Sequence, residues 1–351
     1  MTDALAREVW ERRTGRARIL SIFLLPVSYL YGVGIQLRNA LFNLGWLRTE
    51  RLSRSVVSVG NLTVGGTGKT PTCLWLSQAL TERGFRVGIL SRGYGRKEIR
   101  TVVIQPRDEQ NLDALKSGDE PLMMARLYDQ TVGIGRDRCK AANELLRTTD
   151  VDVFILDDGF QHRRIKRDVD LLLLGSDSSG RMLPVGPFRE PRRNLRRADL
   201  FLATGSSATW RNLLPAGRAD AMFEGTLRPV CLIGFDARRL KEFPLSMIYR
   251  SKILTVTGVG DARGFYGLIH EWEGDIVETL EFPDHHSYTT RDWQQISRMA
   301  RLVDLIITTE KDIVARSLSF RQRSFAGLTR RNVSRKRCRI GRCRRGQNPA
   351  H

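Results

Sequence analysis

Lys69 and Thr70 close a run of small residues, Thr63, Val64, Gly65, Gly66, Thr67 and Gly68. These residue types in this order suit one chemistry, the gripping of a polyphosphate. Glycines let backbone N–H groups crowd onto an anion without a Cβ in the way. A helix starting at the end of the run adds its unpaired N–H groups and the positive end of its dipole. Lys69 would reach the terminal phosphates, and Thr70 would offer a hydroxyl to Mg2+. The spacing departs from the usual pattern at one position, where Thr63 stands in place of a glycine.

Three further groups of ionisable residues could act beside such a loop. Asp157 and Asp158 end the apolar run VDVFILDD. Carboxylates at the tip of a buried strand, next to a phosphate loop, are where Mg2+ is held directly or through water. Asp119 lies in Gly118-Asp119-Glu120-Pro121 ahead of a helix. It suits either an N-cap or a general base for a substrate hydroxyl, and spacing alone does not choose. Asp284, His285 and His286 follow Pro283 in a loop. They could bind metal, form an acid–base dyad with a carboxylate from elsewhere, or simply face solvent. Arg92, Arg136, Arg138, Arg189, Arg192 and Arg193 fall at loops or helix starts, and guanidinium forks match phosphate oxygens.

The elements that must position these residues can be read from hydrophobic pattern. A β-branched run at 56–59 predicts a strand before the loop, and Leu74, Leu76 and Leu80 predict a helix after it. Further strands are expected at 86–90, 102–105, 151–156, 169–174 and 200–203, with helices at 122–128 and 139–147. Near-continuous apolar strands alternating with helices predict an α/β fold of the P-loop NTPase type, a mostly parallel sheet with helices on both faces. In such sheets ligands bind beyond the carboxyl ends of the strands. The pattern loosens at 215–244. A smaller α/β series then follows, with strands at 253–257, 276–281 and 303–309. The expected division is an N-terminal helical segment at 1–50, a P-loop core at 51–215, a smaller C-terminal α/β lobe at 216–312 and a basic tail at 313–351.

The chain has 351 residues, 41% of them hydrophobic, and a net charge of +20. Twelve Lys and Arg and no acid lie in 313–351, so the preceding 312 residues carry only +8. That distribution argues against nucleic acid as a partner, since the body is only moderately basic. The tail reads as a solvated polycation, either disordered or translated out of frame. Five cysteines without a regular framework fit a reducing compartment. Cys73 and Cys139 read as packing residues, and Cys338 and Cys343 lack histidine partners for zinc. Residues 19–37 carry no charge but include Pro26, Gly32 and Gly34. Flanking arginines favour a helix lying in or dipping into a cytoplasmic membrane leaflet; a buried core helix is the alternative.

The motifs SVGNLTVGGTGKTP, SRGYGR, SGDEPLMMA, GRDR, LDDGFQHRR, LLPVGPFREP, FPDHHSY and TTEKD resemble, as a set, the tetraacyldisaccharide 4′-kinases, the lipid A 4′-kinases of Gram-negative bacteria. They span nearly nine-tenths of the chain, and Thr63 is ordinary for that family's loop. The resemblance implies an inner-membrane enzyme of lipopolysaccharide biosynthesis. It would use ATP and Mg2+ to phosphorylate the 4′-hydroxyl of an acylated disaccharide 1-phosphate, giving lipid IVA. By position, it makes Asp119 the base with His285 as dyad partner, and Lys69 a catalytic cation. Thr63 to Thr70 would form the nucleotide loop. Thr70, Asp157, Asp158 and Glu190 fall in the metal region, and Arg92, Tyr94, Arg138 and Gln161 near the sugar. TTEKD would approach the adenine. The residues beyond Asp312 depart from the family. The competing reading is a membrane-associated P-loop ATPase switch without a lipid substrate.

Overall fold

The computed structural model describes residues 3–11, 14–94, 96, 100–106, 117–205, 207–236, 239–258, 262–283, 286, 288–310, 312 and 325–331. In chain order these form α1 (Asp3–Glu11), α2 (Gly15–Asn43), β1 (Ser55–Asn61), α3 (Lys69–Thr81), β2 (Val87–Ser91), β3 (Val102–Ile104), α4 (Asp119–Tyr128), β4 (Thr131–Ile134), α5 (Arg138–Thr148), β5 (Val153–Asp157), β6 (Val169–Leu174), a 3-10 turn (Arg192–Arg197) and β7 (Leu200–Ala203). After these come α6 (Ser207–Arg211), β8 (Met222–Glu224), β9 (Arg228–Asp236), β10 (Arg239–Phe243), β11 (Lys252–Thr257), α7 (Arg263–Glu271), β12 (Asp275–Glu281), α8 (Thr290–Met299), β13 (Leu305–Thr309) and β14 (Phe325–Arg331).

The first sheet has eight strands in the order β3-β4-β2-β5-β1-β6-β7-β8. All pairings are parallel except β3 with β4. Burial on both faces follows from the pleat. On β5, Ile155 packs with Cys73 and Leu74 of α3 and Leu122 of α4. Its neighbours Phe154 and Leu156 pack with Ala142 and Leu145 of α5, on the other side. The apolar run VFIL therefore satisfies two helical layers at once, which is why it has no polar alternation. β1 lies between β5 and β6, with Val59 opposite Asp157. The chain leaving β1 and the chain leaving β5 thus emerge side by side at the carboxyl edge.

The second sheet runs β10-β9-β14-β13-β11-β12. β11, β12, β13 and β14 are parallel, while β9 is antiparallel to both β10 and β14. Cys231 and Ile233 of β9 join the apolar cluster under α3 and α4, so the two sheets share core. Three stretches differ from expectation. The loosened region at 215–244 holds β8, β9 and β10; β8 has three residues and β9 and β10 are joined as a hairpin, patterns that give little periodicity. β14 lies beyond residue 312, where the tail was expected to start, and pairs on both sides inside the second sheet. β4 was also not anticipated; its four residues, TVGI, are too few for a periodic signal.

α2 spans 29 residues, capped by the Thr14 side chain accepting from Ala17 N and containing Pro26. It is long and apolar enough to cross a membrane, yet only 11% of its most apolar window is buried. That is not the burial of a core helix. One side is pinned to the first sheet's unit: Ser28 Oγ donates to Met182 O, Tyr31 Oη to Arg189 O, and Asn39 Nδ2 to Glu190 Oε2. The opposite side leaves Phe23, Tyr29 and Leu30 exposed.

Candidate active site

β1 continues two residues past its expected end, to Asn61, before the glycine loop begins. Gly68 caps α3 in a left-handed conformation, φ +82° and ψ +24°. The left-handed φ is what calls for glycine; a Cβ there would meet only the flexible end of Leu227, 2.9 Å from its Cδ1. No side chain caps α3, and its first N–H groups are left for an anion. Among the described residues, nothing lies within 4 Å of where Cβ atoms on Gly65 and Gly66 would be. The loop is held from outside: Val64 N donates to Pro187 O, and Thr204 Oγ1 donates to Thr67 O.

Lys69, Asp158, Arg189 and Asn61 meet beside this loop. Arg189 forms a two-pronged pair with Asp158, Nη1 to Oδ2 at 2.9 Å and Nη2 to Oδ1 at 2.8 Å. Lys69 Nζ stands 3.7 Å from Asp158 Oδ1 and 3.3 Å from Asn61 Oδ1. Burial alone would raise the Asp158 pKa, but the Arg189 fork, with Lys69 and Arg138, holds it down at about 2. Asp157 behaves oppositely. It is buried, and desolvation followed by the charges of Glu120 and Asp158 pushes it up to about 7. Ser91 Oγ donates to Asp157 Oδ2 and Cys73 Sγ to Oδ1, at 3.2 and 3.7 Å. The two adjacent acids are thus one charged, one poised near neutrality.

Asp119 is the first residue of α4, and Gly118, not Asp119, is the N-cap. The capping role open in the sequence is therefore not the one it fills. Gly118 has φ +85°, and a Cβ on it would sit 3.0 Å from Tyr94 O. This close approach places the Ser91–Arg92–Gly93–Tyr94 turn against the start of α4. Tyr94 is 72% exposed. Arg138, at the start of α5, is buried; desolvation and then the Arg92 charge lower its pKa below the usual guanidinium value, against the pull of Asp157 and Asp158. Its Nε is buried without a hydrogen-bond partner, as is Gln161 Oε1. Gln161 Nε2 donates to Asn61 O. The orphaned Arg138 donor, beside a cluster of carboxylates and cations, fits a site built to take an anion, while Gln161 Oε1 is an open acceptor that could meet a hydroxyl.

Glu190 is not brought to the loop. Its carboxylate is fully buried and accepts from Asn39 Nδ2 and Asn194 Nδ2, with Arg197 Nη1 at 3.1 Å. It ties α2 to the 3-10 turn, a position behind its neighbour Arg189. His285 and Asp284 lie outside the described residues. So does Lys311 of TTEKD, whose Asp312 accepts from Gly258 N, Thr309 Oγ1 and Tyr288 Oη. Glu310 accepts from Tyr128 Oη at the end of α4. Two participants were not singled out by type or spacing: Asn61 and Ser91. Arg189 was grouped with arginines for an anionic ligand, whereas its guanidinium here is engaged by Asp158.

Comparisons with known proteins find relatives over most of the chain. The family model described as Tetraacyldisaccharide-1-P 4′-kinase matches residues 20–334. A tetraacyldisaccharide 4′-kinase of Syntrophus aciditrophicus (strain SB) is 37% identical over 333 residues, covering 87% of each chain. One from Dechloromonas aromatica (strain RCB) is 38% identical over 297 residues, covering 83% of this chain and 82% of its own. A crystal structure of LpxK from Aquifex aeolicus in complex with ATP superposes with a TM-score of 0.74 at 32% identity, covering 89% of this chain and 94% of that one. The chain belongs to the tetraacyldisaccharide-1-P 4′-kinase family.

Proposed function

We propose that the protein transfers the γ-phosphoryl group of ATP to the 4′-hydroxyl of a tetraacyldisaccharide 1-phosphate, giving lipid IVA in lipid A biosynthesis. The observation that carries this reading is the meeting of Lys69, Asp158 and Arg189 at the open glycine loop, in a chain of this family. The loop from Thr63 to Thr70 takes the triphosphate, its backbone N–H groups and the start of α3 facing the anion. Lys69 offsets charge on the terminal phosphates. Thr70, Asp157 and Asp158 are the residues that would hold Mg2+, with Asp158 exchanging part of its fork to Arg189 for the metal, and the ion when bound would offset phosphate charge. The buried Arg138, with Arg92, Tyr94 and Gln161, orients the phosphorylated sugar.

Asp119, with His285 as its partner, accepts the proton of the 4′-hydroxyl. The sugar oxygen forms a bond to the γ-phosphorus as the bridging P–O bond to the β-phosphate breaks, and ADP departs with that electron pair. Positioning and charge stabilisation supply most of the rate. The exposed apolar side of α2, with the arginines before it, rests on the cytoplasmic face of the inner membrane, where an acylated acceptor would lie. The test is Asp119→Ala. It is expected to lower kcat by about 10²–10⁴-fold while leaving KM for ATP within about threefold; an unchanged kcat would remove Asp119 from the base role. ATP consumption should require the disaccharide acceptor.

A further inference from the structure

The end of β1 holds a polar group for which the reading above gives no role. Asn61 is fully buried, and every polar atom of its side chain is engaged with the phosphate loop or its cations. Nδ2 donates to Thr67 Oγ1 at 2.8 Å. Oδ1 accepts from Lys69 Nζ at 3.3 Å and from Arg189 Nη2. Its backbone carbonyl accepts from Gln161 Nε2 at 2.9 Å. The orientation of the amide follows from chemistry: two cations can face only its oxygen, so its NH2 must face Thr67.

We propose that Asn61 is a positioning residue for the phosphate loop, one that aims Lys69 without neutralising it. The inference rests on the reading of this loop as the ATP site. Lys69 has two oxygens near its ammonium. Asp158 Oδ1, at 3.7 Å, is charged but already forked to Arg189. Asn61 Oδ1 is the closer and is neutral. A neutral acceptor fixes the direction of the ammonium and releases it to a phosphate at little cost. A carboxylate at the same point would compete with the phosphate for the same charge. Through Nδ2 the same amide fixes Thr67, whose carbonyl is held from the far side by Thr204 Oγ1. One side chain thus sets the loop and the lysine relative to each other.

Asn61→Asp keeps the shape and changes only this chemistry. Steady-state kinetics with ATP varied at saturating acceptor are expected to show KM for ATP raised about tenfold, kcat within about threefold, and a near-wild-type melting temperature. A wild-type KM would overturn the inference, as would a fall in melting temperature and kcat with KM unchanged, which is what a merely structural amide gives. If Asn61→Asp does not fold, Thr67→Val and Thr67→Ser decide. Val, which removes the partner of Nδ2, should raise KM several-fold and Ser should restore it; a wild-type KM in Thr67→Val overturns the inference. Lys69→Ala in the same assay separates the two readings. If Lys69→Ala is inactive while Asn61→Asp matches wild type, only the role of Asn61 fails. If Lys69→Ala is fully active, the phosphate-loop reading fails and takes this inference with it.

Discussion

The carboxyl edge of the first sheet and the corner of the second sheet around Asp312 both gather buried polar groups, but they do so in opposite ways. At the first edge the partners come from far apart in the chain: Asn61 and Arg189 are 128 residues apart, and Lys69 reaches Asp158 from a different element. Cations and acids remain near one another without closing every valence; Arg138 Nε and Gln161 Oε1 are left over. At the second corner Asp312 accepts from Thr309 close by and from Tyr288 and the backbone of Gly258, 24 and 54 residues away, so distance along the chain does not separate the two corners; the cap of α8 is closed locally by Asp292, Thr289 and His286, within six residues of one another. The carboxylates of Asp312 and Asp292 are each met by several donors, as in a cluster that holds a fold together, although the neighbouring Thr308 Oγ1 is buried without a partner among the described residues. A cluster that also keeps charges and polar atoms open is equipped to receive a ligand.

The comparison breaks first at Lys69. Lys69→Ala should cost about 10³-fold or more in kcat/KM, because a cation aimed at developing phosphate charge has no substitute in the cluster. Its melting temperature should stay close to wild type; a large fall would mean that the first edge is structural after all. Arg189→Lys keeps the charge and loses the fork to Asp158. About a tenfold loss of kcat/KM is expected, measured with ATP and acceptor varied separately.

The second corner should respond in stability instead. Asp312→Ala leaves the buried Gly258 N–H and the Thr309 hydroxyl without their acceptor. Chemical denaturation should show a loss of about 2–3 kcal/mol, with kcat per folded molecule near wild type. The smallest effect is expected at Asp292. The His286 hydrogen bond, then the Thr289 N–H, depress its pKa to about 2, below the ordinary value of 3.8. A depressed carboxylate stabilises the fold fully above its unfolded pKa and loses that contribution as pH falls through the folded one. Asp292→Asn should therefore lower the melting temperature modestly at pH 6, and the difference from wild type should vanish between about pH 4 and 2. A gap that persists at pH 2 would show that charge is not its source.

What could be read in the sequence divides along the same line. The glycine loop, the strand VFIL and its terminal aspartates are local patterns, and each sits where its pattern implies. The α/β class followed from apolar runs that must be buried on two faces. The partners of Asn61 and Arg189 were not legible, because an amide in a strand end and an arginine in a loop carry no mark of which distant atom they will meet. Glu190 shows the converse: next to Arg189 in sequence, it pairs instead with Asn39, Asn194 and Arg197. β8 and β10 escaped notice because they are short edge strands without a long apolar run; β9 does carry one, Val230 to Phe235, and was readable in the sequence, although the expected strands did not include it.

The open cluster on the first sheet is proposed to move a phosphoryl group onto an acylated disaccharide. The most direct measurement incubates the purified protein with ATP labelled in its γ-phosphate and the tetraacyldisaccharide 1-phosphate, then locates the label. The account predicts label on the 4′-oxygen of the disaccharide with the wild-type chain and none with Lys69→Ala. Label released only as inorganic phosphate, at a rate indifferent to the disaccharide, would contradict it.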